Sequence, residues 1–232
     1  VIEPPEDVTM WPNFLRSNES FSKIKTTKED LKKHKQYKQR SKFVSAKKNS
    51  SDETKYLKSI KLNPSILKLS NQNLSRASQL TLKTNQFNLT TNRYNEIEIK
   101  KINNNKKNII KLISLKDIYG DHGIVGLYIV KEIDKNLAII DTFLMSCRIL
   151  GRYLENFMIK TCTEDAKKLK FKNLILNFKR TKKNYFCEKF INDLNLKKIK
   201  NNKKFFKIQG DLYEIPLNRQ IKIKYLDAYK EK

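Results

Sequence analysis

The sequence is short of glycine, proline, histidine, cysteine and acidic residues. Its 232 residues hold five Gly, five Pro, two His, three Cys and one Trp, with 24 Asp and Glu against 50 Lys and Arg. Cys147, Cys162 and Cys187 are odd in number and form no Cys-x-x-Cys pair, which speaks against a disulfide framework and a zinc site, and no metal is expected. The longest apolar run, near Leu137–Cys147, is too short to cross a bilayer. No signal peptide opens the chain, so a cytoplasmic location without a membrane partner is expected. The start Val1-Ile-Glu-Pro-Pro-Glu6, in place of an initiator Met, predicts a chain that begins inside a longer protein.

What the sequence has in excess is lysine. A formal net charge of +26 invites a nucleic-acid partner, because cations release counterions from phosphates. Here the charge is spread along the whole chain, with no zinc-finger spacing and no RNP-like aromatic pattern. No specific nucleic-acid partner is expected. Where Lys is the default cation, each of the eight Arg residues is more informative as a planar, two-pronged donor. Arg76, Arg93, Arg148 and Arg152 are the ones of interest. Gly120, Gly123, Gly126 and Gly151 crowd one stretch, which predicts special backbone angles or a close approach there.

Residues 1–25 read as irregular, because Pro4, Pro5 and Pro12 break regular elements. Thr26 and Glu29 have capping-box spacing, so a Lys-rich helix is predicted to run to about Lys47. A short helix follows over Glu53–Ile60, then an extended Leu62–Leu69. Leu74, Ala77 and Leu80 have helical spacing, which predicts a helix over Leu74–Phe87. Asn95 and Glu98 cap a further short helix. From Asn108 the apolar runs lengthen. Strands are predicted at Ile109–Leu115, Ile124–Val130, Leu137–Ser146, Leu174–Phe178 and Lys203–Ile208, with helices from Arg148 to about Leu169 and over Lys183–Leu194. The predicted class is α+β (α/β), a mixed sheet flanked by helices and preceded by a helical linker.

The junction of strand and helix at Cys147-Arg-Ile-Leu-Gly-Arg-Tyr153 carries the clearest chemistry. Free N–H groups at a helix start, a glycine, and two Arg together make an anion cradle from Arg148, Gly151 and Arg152. Arg148-x-x-Gly151-x-Tyr153 resembles the R/Q-x-x-G-x-G/A loop of the GNAT acetyltransferase superfamily, which holds the pyrophosphate of coenzyme A. Tyr153 stands where that loop has a small residue. Asn184 and the helix to Asn195 resemble the superfamily's N…FYxxxGF segment, with its Gly lost. A second polar cluster, Lys83, Asn85, Gln86, Asn88 and Arg93, reads either as a binding site for a phosphorylated substrate or as a run of caps and turns.

Longer stretches are similar to a narrower group. Arg76–Thr91, Ser114–Gly126 and Ile140–Arg152 resemble, in order, the FkbH-like family, in which a HAD-type phosphatase domain precedes a GNAT-like domain. Glu3–Glu6 and Thr27–Tyr37 resemble the junction after that phosphatase domain. The resemblance implies three parts: the phosphatase edge and linker over 1–50, an N-terminal part of the transferase domain over 51–107, and a GNAT-like core over 108–232. No Asp-x-Asp nucleophile motif occurs in the chain. Any Mg would therefore belong to the upstream domain, and no cofactor is expected to reside in this chain.

The implied activity is acyl transfer. A glyceryl or related unit from a phosphorylated three-carbon donor is held as an enzyme thioester and passed to the phosphopantetheine thiol of an acyl carrier protein. The implied partners are that carrier, the donor and the upstream HAD domain. A non-catalytic docking module and a coenzyme A-dependent N-acetyltransferase are the alternatives. Cys147 is the candidate nucleophile, because a helix start and two Arg favour a thiolate; the plainer reading is a small buried residue. If the strands 124–130 and 137–146 form a hairpin turning near residue 134, His122 falls opposite Met145, on the face of Cys147. His122 would then serve as its base, with Asp117 or Asp121 orienting the ring. A one-residue slip reverses the face.

Overall fold

The computed structural model describes residues 3–18, 28–200, 205, 208–219 and 222–229. The chain divides into two compact units, Val1–Lys38 and Gln39–Lys232. In the first, a 3-10 turn over Val8–Met10 is capped by Asp7, whose carboxylate accepts from the Thr9 N–H at 2.9 Å. Helix α1 (Trp11–Ser17) follows, within a stretch expected to be irregular. Pro12 is compatible with it because it lies in the first turn, where a missing N–H breaks no intrahelical bond. The division between the units falls inside α2 (Lys28–Lys48). The Thr26 cap expected for α2 lies outside the described residues.

The second unit continues through α3 (Glu53–Ser59), β1 (Asn63–Lys68), α4 (Asn71–Lys83) and α5 (Glu96–Asn103). Strands β2 (Ile109–Asp117), β3 (Gly120–Asp134) and β4 (Leu137–Met145) come next, then α6 (Leu154–Lys168), β5 (Asn173–Phe178), α7 (Tyr185–Leu194), β6 (Lys197–Ile199) and β7 (Asp211–Pro216). The capping box at α5 forms as predicted: Asn95 accepts from Glu98 N–H at 2.9 Å and Glu98 from Asn95 N–H at 2.8 Å. Residues 203, 204, 206 and 207 of the expected last strand lie outside the described residues; β6 and β7 flank that stretch.

The seven strands form one sheet in the order β1-β2-β3-β4-β5-β7-β6, antiparallel except for the β4–β5 pair. Helix α6 supplies the crossover that a parallel pair needs. Helices α6 and α7 bury their apolar stripes on one face, with Leu154, Met158, Cys162, Phe190 and Ile191 against Tyr128, Ile140, Phe143 and Leu174. Helices α4 and α5 cover the other face, where Leu74, Ala77, Leu80 and Ile99 meet Leu112, Leu127, Ile129 and Leu144. Gly126 lets α6 approach, since a Cβ there would stand 2.8 Å from Met158 Sδ.

The hairpin register differs from the expected one. Gly126, not His122, lies opposite Met145, and His122 sits in the part of β3 that pairs with β2. Pairing then shifts between Ile129↔Thr142 and Val130↔Ile140, which leaves Asp141 as an extra residue, a β-bulge in β4. Beyond Ile140, β4 and β5 no longer pair and a cleft opens between them.

Candidate functional site

The candidate site lies where β4 ends. Ser146 N–H donates to the Val125 carbonyl at 2.7 Å, and a 3-10 turn over Cys147–Ile149 follows. The helix does not open at Arg148. Gly151 (φ +88) and Tyr153 (φ 57) adopt left-handed backbone first, and α6 starts at Leu154. The N–H groups of Ile149, Leu150, Arg152 and Asn156 donate to the carbonyls of Ser146, Cys147, Ile149 and Tyr153. The loop carbonyls are also taken: Lys47 Nζ donates to Gly151 at 2.9 Å and Tyr229 hydroxyl to Arg152 at 2.6 Å. Four N–H donors of the loop and helix start are thus turned inward. An acid, Glu155, stands in the first turn of α6, where a pyrophosphate would meet it. Its Oε2 is sealed from solvent without a hydrogen-bond partner, and burial pushes the carboxyl up to about 7.

Arg152 does not face a ligand. Its guanidinium is fully buried, with Nε 2.6 Å from Asp117 Oδ2 and its carbon 3.9 Å from the centre of the Phe43 ring. The other Asp117 oxygen lies 3.0 Å from His122 Nε2 and accepts from Tyr119 N–H at 2.8 Å. Burial pushes the Asp117 carboxyl upward, but the neighbouring His122 and Arg152 outweigh it and hold it below its ordinary value. Asp117 is thus the acid beside His122, whose Nε2 is buried at 3.0 Å from it without an aligned hydrogen bond. Asp121 instead accepts from Gly123 N–H at 2.8 Å and lies 3.2 Å from Lys116 Nζ. No hydrogen bond joins His122 to Cys147 among the described residues. The physical reason is the register, which carries His122 past the end of β4.

Around the loop, Glu53 ties several groups together. Its Oε1 is 2.5 Å from Lys47 Nζ and accepts from Tyr153 hydroxyl at 3.0 Å, while Oε2 accepts from Tyr225 hydroxyl at 3.2 Å. Cys147 is half-buried, whereas Cys162 and Cys187 are buried. Burial pushes the Cys187 thiol up to about 12, and the Cys162 thiol upward as well.

The polar cluster after α4 is largely used by the chain itself. Arg93 donates to the Thr81 and Thr84 carbonyls, the last acceptors of α4, and to Asn85 Oδ1. Asn88 is buried, with its amide donating to Thr84 carbonyl at 3.2 Å and accepting from Thr91 N–H at 2.9 Å. Lys83 and Gln86 are exposed.

One feature escaped the sequence reading. Phe87–Thr90 lies inside the β4–β5 cleft, joined to β4 by a single antiparallel bridge, Asn88↔Leu144. Leu89 N–H donates to Phe143 carbonyl at 3.0 Å and Met145 N–H to Phe87 carbonyl at 3.1 Å, while Lys179 N–H, just past β5, donates to Leu89 carbonyl at 2.8 Å. Asn184, fully buried, donates to Asn88 carbonyl at 3.0 Å. Thr90 and Asn92 side chains donate to the carbonyl of the bulge residue Asp141, at 2.7 and 3.0 Å. The available signal was the short alternation Phe87-Asn-Leu-Thr90, which is strand-like.

Among solved structures, the chain is similar to an acetyltransferase of the GNAT family from Staphylococcus aureus Mu50. The two share 12% identity over 67% of this chain and 99% of that one, with a TM-score of 0.51. The ribosomal-protein-S18-alanine N-acetyltransferase from Escherichia coli matches at 10% identity over 68% and 96%, with a TM-score of 0.48. Spermidine N-acetyltransferase from Vibrio cholerae, solved with CoA and spermine, matches at 15% over 70% and 98%, also at 0.48. The likeness to the staphylococcal protein shows a GNAT-like fold, and fold does not by itself assign an activity. No protein-family model matches the chain, and no curated protein does. No helix among the described residues is long and apolar enough to cross a membrane, and none of their acidic, His and Cys side chains group in a way that could hold a metal ion.

Proposed function

We propose that this chain is the acyl-handling part of an FkbH-like enzyme, with Cys147 as the residue that carries the acyl group. The observation that carries the reading is the contrast among three thiols. Cys147 is half-buried at the end of β4, while Cys162 and Cys187 are buried in the core. The Cys147 sulfur attacks the carbonyl of a phosphorylated three-carbon donor; a C–S bond forms, the C–O bond to phosphate breaks and phosphate leaves with the electron pair. The phosphopantetheine thiol of an acyl carrier protein then attacks the thioester carbonyl, and Cys147 departs as the thiol once reprotonated. Arg148 flanks Cys147 in the same turn and is the cation assigned to the anionic partner. Arg152, Asp117 and His122 act as positioning residues that hold the loop beneath Cys147. A second, ester-linked phosphate on the donor would be removed by the upstream phosphatase domain that the resemblance implies, where a Mg would be held.

A second reading, a non-catalytic module that docks the carrier, draws support from the inward-turned loop donors and the distance in register between His122 and Cys147. Intact-mass analysis separates the two. Incubation of the enzyme including its upstream domain with an acyl donor should leave an adduct that disappears in Cys147→Ser. An adduct that survives the change, or none at all in the wild type, leaves the docking role.

A further inference from the structure

Past Ile140 the inner edge of β4 turns the Phe143 carbonyl and the Met145 N–H into the cleft. An extended chain bearing amides adds to such an edge through backbone hydrogen bonds. A pantetheine arm has two amides and suits that edge. Here the occupant is polypeptide, and it is satisfied on both sides. Phe87 and Leu89 bond to β4, while the Leu89 carbonyl bonds to Lys179 N–H and the Asn88 carbonyl to Asn184; the Cys187 side chain packs in the same core as Phe87 and Leu89. Phe87, Asn88, Leu89 and Thr90 are all buried, and the Phe87 ring packs 6.4 Å from Phe143 and 5.7 Å from Phe190. Withdrawing the segment would uncover two large apolar side chains and break each of these bonds, and the two amides of an arm would replace only part of them.

We infer that Phe87–Thr90 is a fixed segment that closes the β4–β5 cleft to a pantetheine arm, whether borne by coenzyme A or by a carrier. The inference deepens the proposed function and rests on it in one respect: the arm that unloads Cys147 must then run outside the sheet. Phe87 and Leu89 become specificity-determining residues, because they exclude free acyl-CoA from the only backbone edge that β4 offers in the cleft.

The test uses coenzyme A and free pantetheine with the full chain, read by Tm and by the rate at which iodoacetamide labels each cysteine. Cys187 lies beneath the segment, so its labelling reports opening. Neither compound should move Tm, and Cys187 should be labelled at least about 100-fold more slowly than Cys147, at a rate that neither compound changes. A rise in Tm with coenzyme A, or a change in Cys187 labelling with pantetheine, overturns the closure. So does Cys187 labelling as fast as that of Cys147 without any ligand. In Phe87→Ala the Cys187 rate should rise at least about tenfold; an unchanged rate in a folded variant means that another group covers the thiol. Should that variant not fold, the wild-type measurements decide alone. Failure of the proposed function is read separately, in the acyl adduct on Cys147, and leaves these outcomes unaffected.

Discussion

Two clusters of similar make-up lie on opposite faces of the sheet, and they are wired to different ends. On the α6 face, Arg152, Asp117 and His122 are sealed, with Arg152 and Asp117 side chains 0% exposed. On the α4–α5 face, Lys131 Nζ bonds to Asp141 at 2.7 Å and to Tyr94 hydroxyl at 2.9 Å, and Tyr94 hydroxyl donates to Asp141 at 2.9 Å. Here water reaches the Lys131 side chain, which is 30% exposed. Each cluster joins an acid, a cation and a ring. The sealed one fastens the loop after β4, and its two opposite charges are shielded from water. The open one fastens the chain after α4 to the bulge in β4, with solvent to share its charge.

The largest effect should therefore come from Asp117→Asn, which leaves the Arg152 charge buried and unpaired. A loss of about 3–5 kcal/mol in urea unfolding is expected, with part of it recovered in Asp117→Asn/Arg152→Met. Equal losses from Asp117→Asn and Asp141→Asn would erase the distinction between the clusters. For Asp141→Asn the expected loss is about 1–2 kcal/mol, because solvent screens what remains.

A third experiment reads pH. Glu155 has a folded-state value raised to about 7, so between its ordinary value and 7 the folded chain binds more protons than the unfolded one. This group's contribution to stability thus falls as pH rises across that window and levels off above it. Asp117 works in the opposite sense, since its lowered value gives stability at neutral pH that is lost as pH falls through the acid range. Glu155→Gln should flatten the decline between about pH 4.3 and 7 in thermal melts; an unchanged slope would assign it to other groups. The smallest effect belongs to Arg93→Ala. It removes a cap from an exposed helix end and should cost about 1 kcal/mol or less.

Element order was readable because apolar periodicity is written locally. The strands β2 to β5, the helices α3, α6 and α7, and the Asn95–Glu98 box all follow from spacing within a dozen residues. Register was not readable, because the hairpin turns between Asp134 and Leu137 rather than near residue 134, and the bulge at Asp141, which shifts the pairing by one residue, has no local signature. The start of α6 was missed for a related reason. Tyr153 takes left-handed backbone, a conformation costly enough for a bulky residue that nothing in its neighbours predicts it. Asn195, by contrast, takes left-handed backbone, with φ 48, at the end of α7, where Asn is tolerated almost as Gly is. The scarce arginines Arg93 and Arg152 both bond to the protein itself, and sequence gives no sign of whether such an acceptor is a ligand or the protein. For Arg152 it is Asp117, and for Arg93 it is the end of α4.

The segment in the cleft also orders events in time. Phe87 and Leu89 meet Phe143 and Met145 of β4 and Lys179 just past β5, partners far along the chain whose strands are joined only through α6. Until β4 and β5 lie side by side, the segment can pair with β4 but lacks its bond to Lys179 and the cover of Asn184 and Phe190, so the closed arrangement waits on that long loop. Its contacts should therefore form after the rate-limiting step. Substitutions in it would then hasten unfolding and leave the folding rate nearly unchanged, and the chain's kinetic persistence would be set by its last stitch.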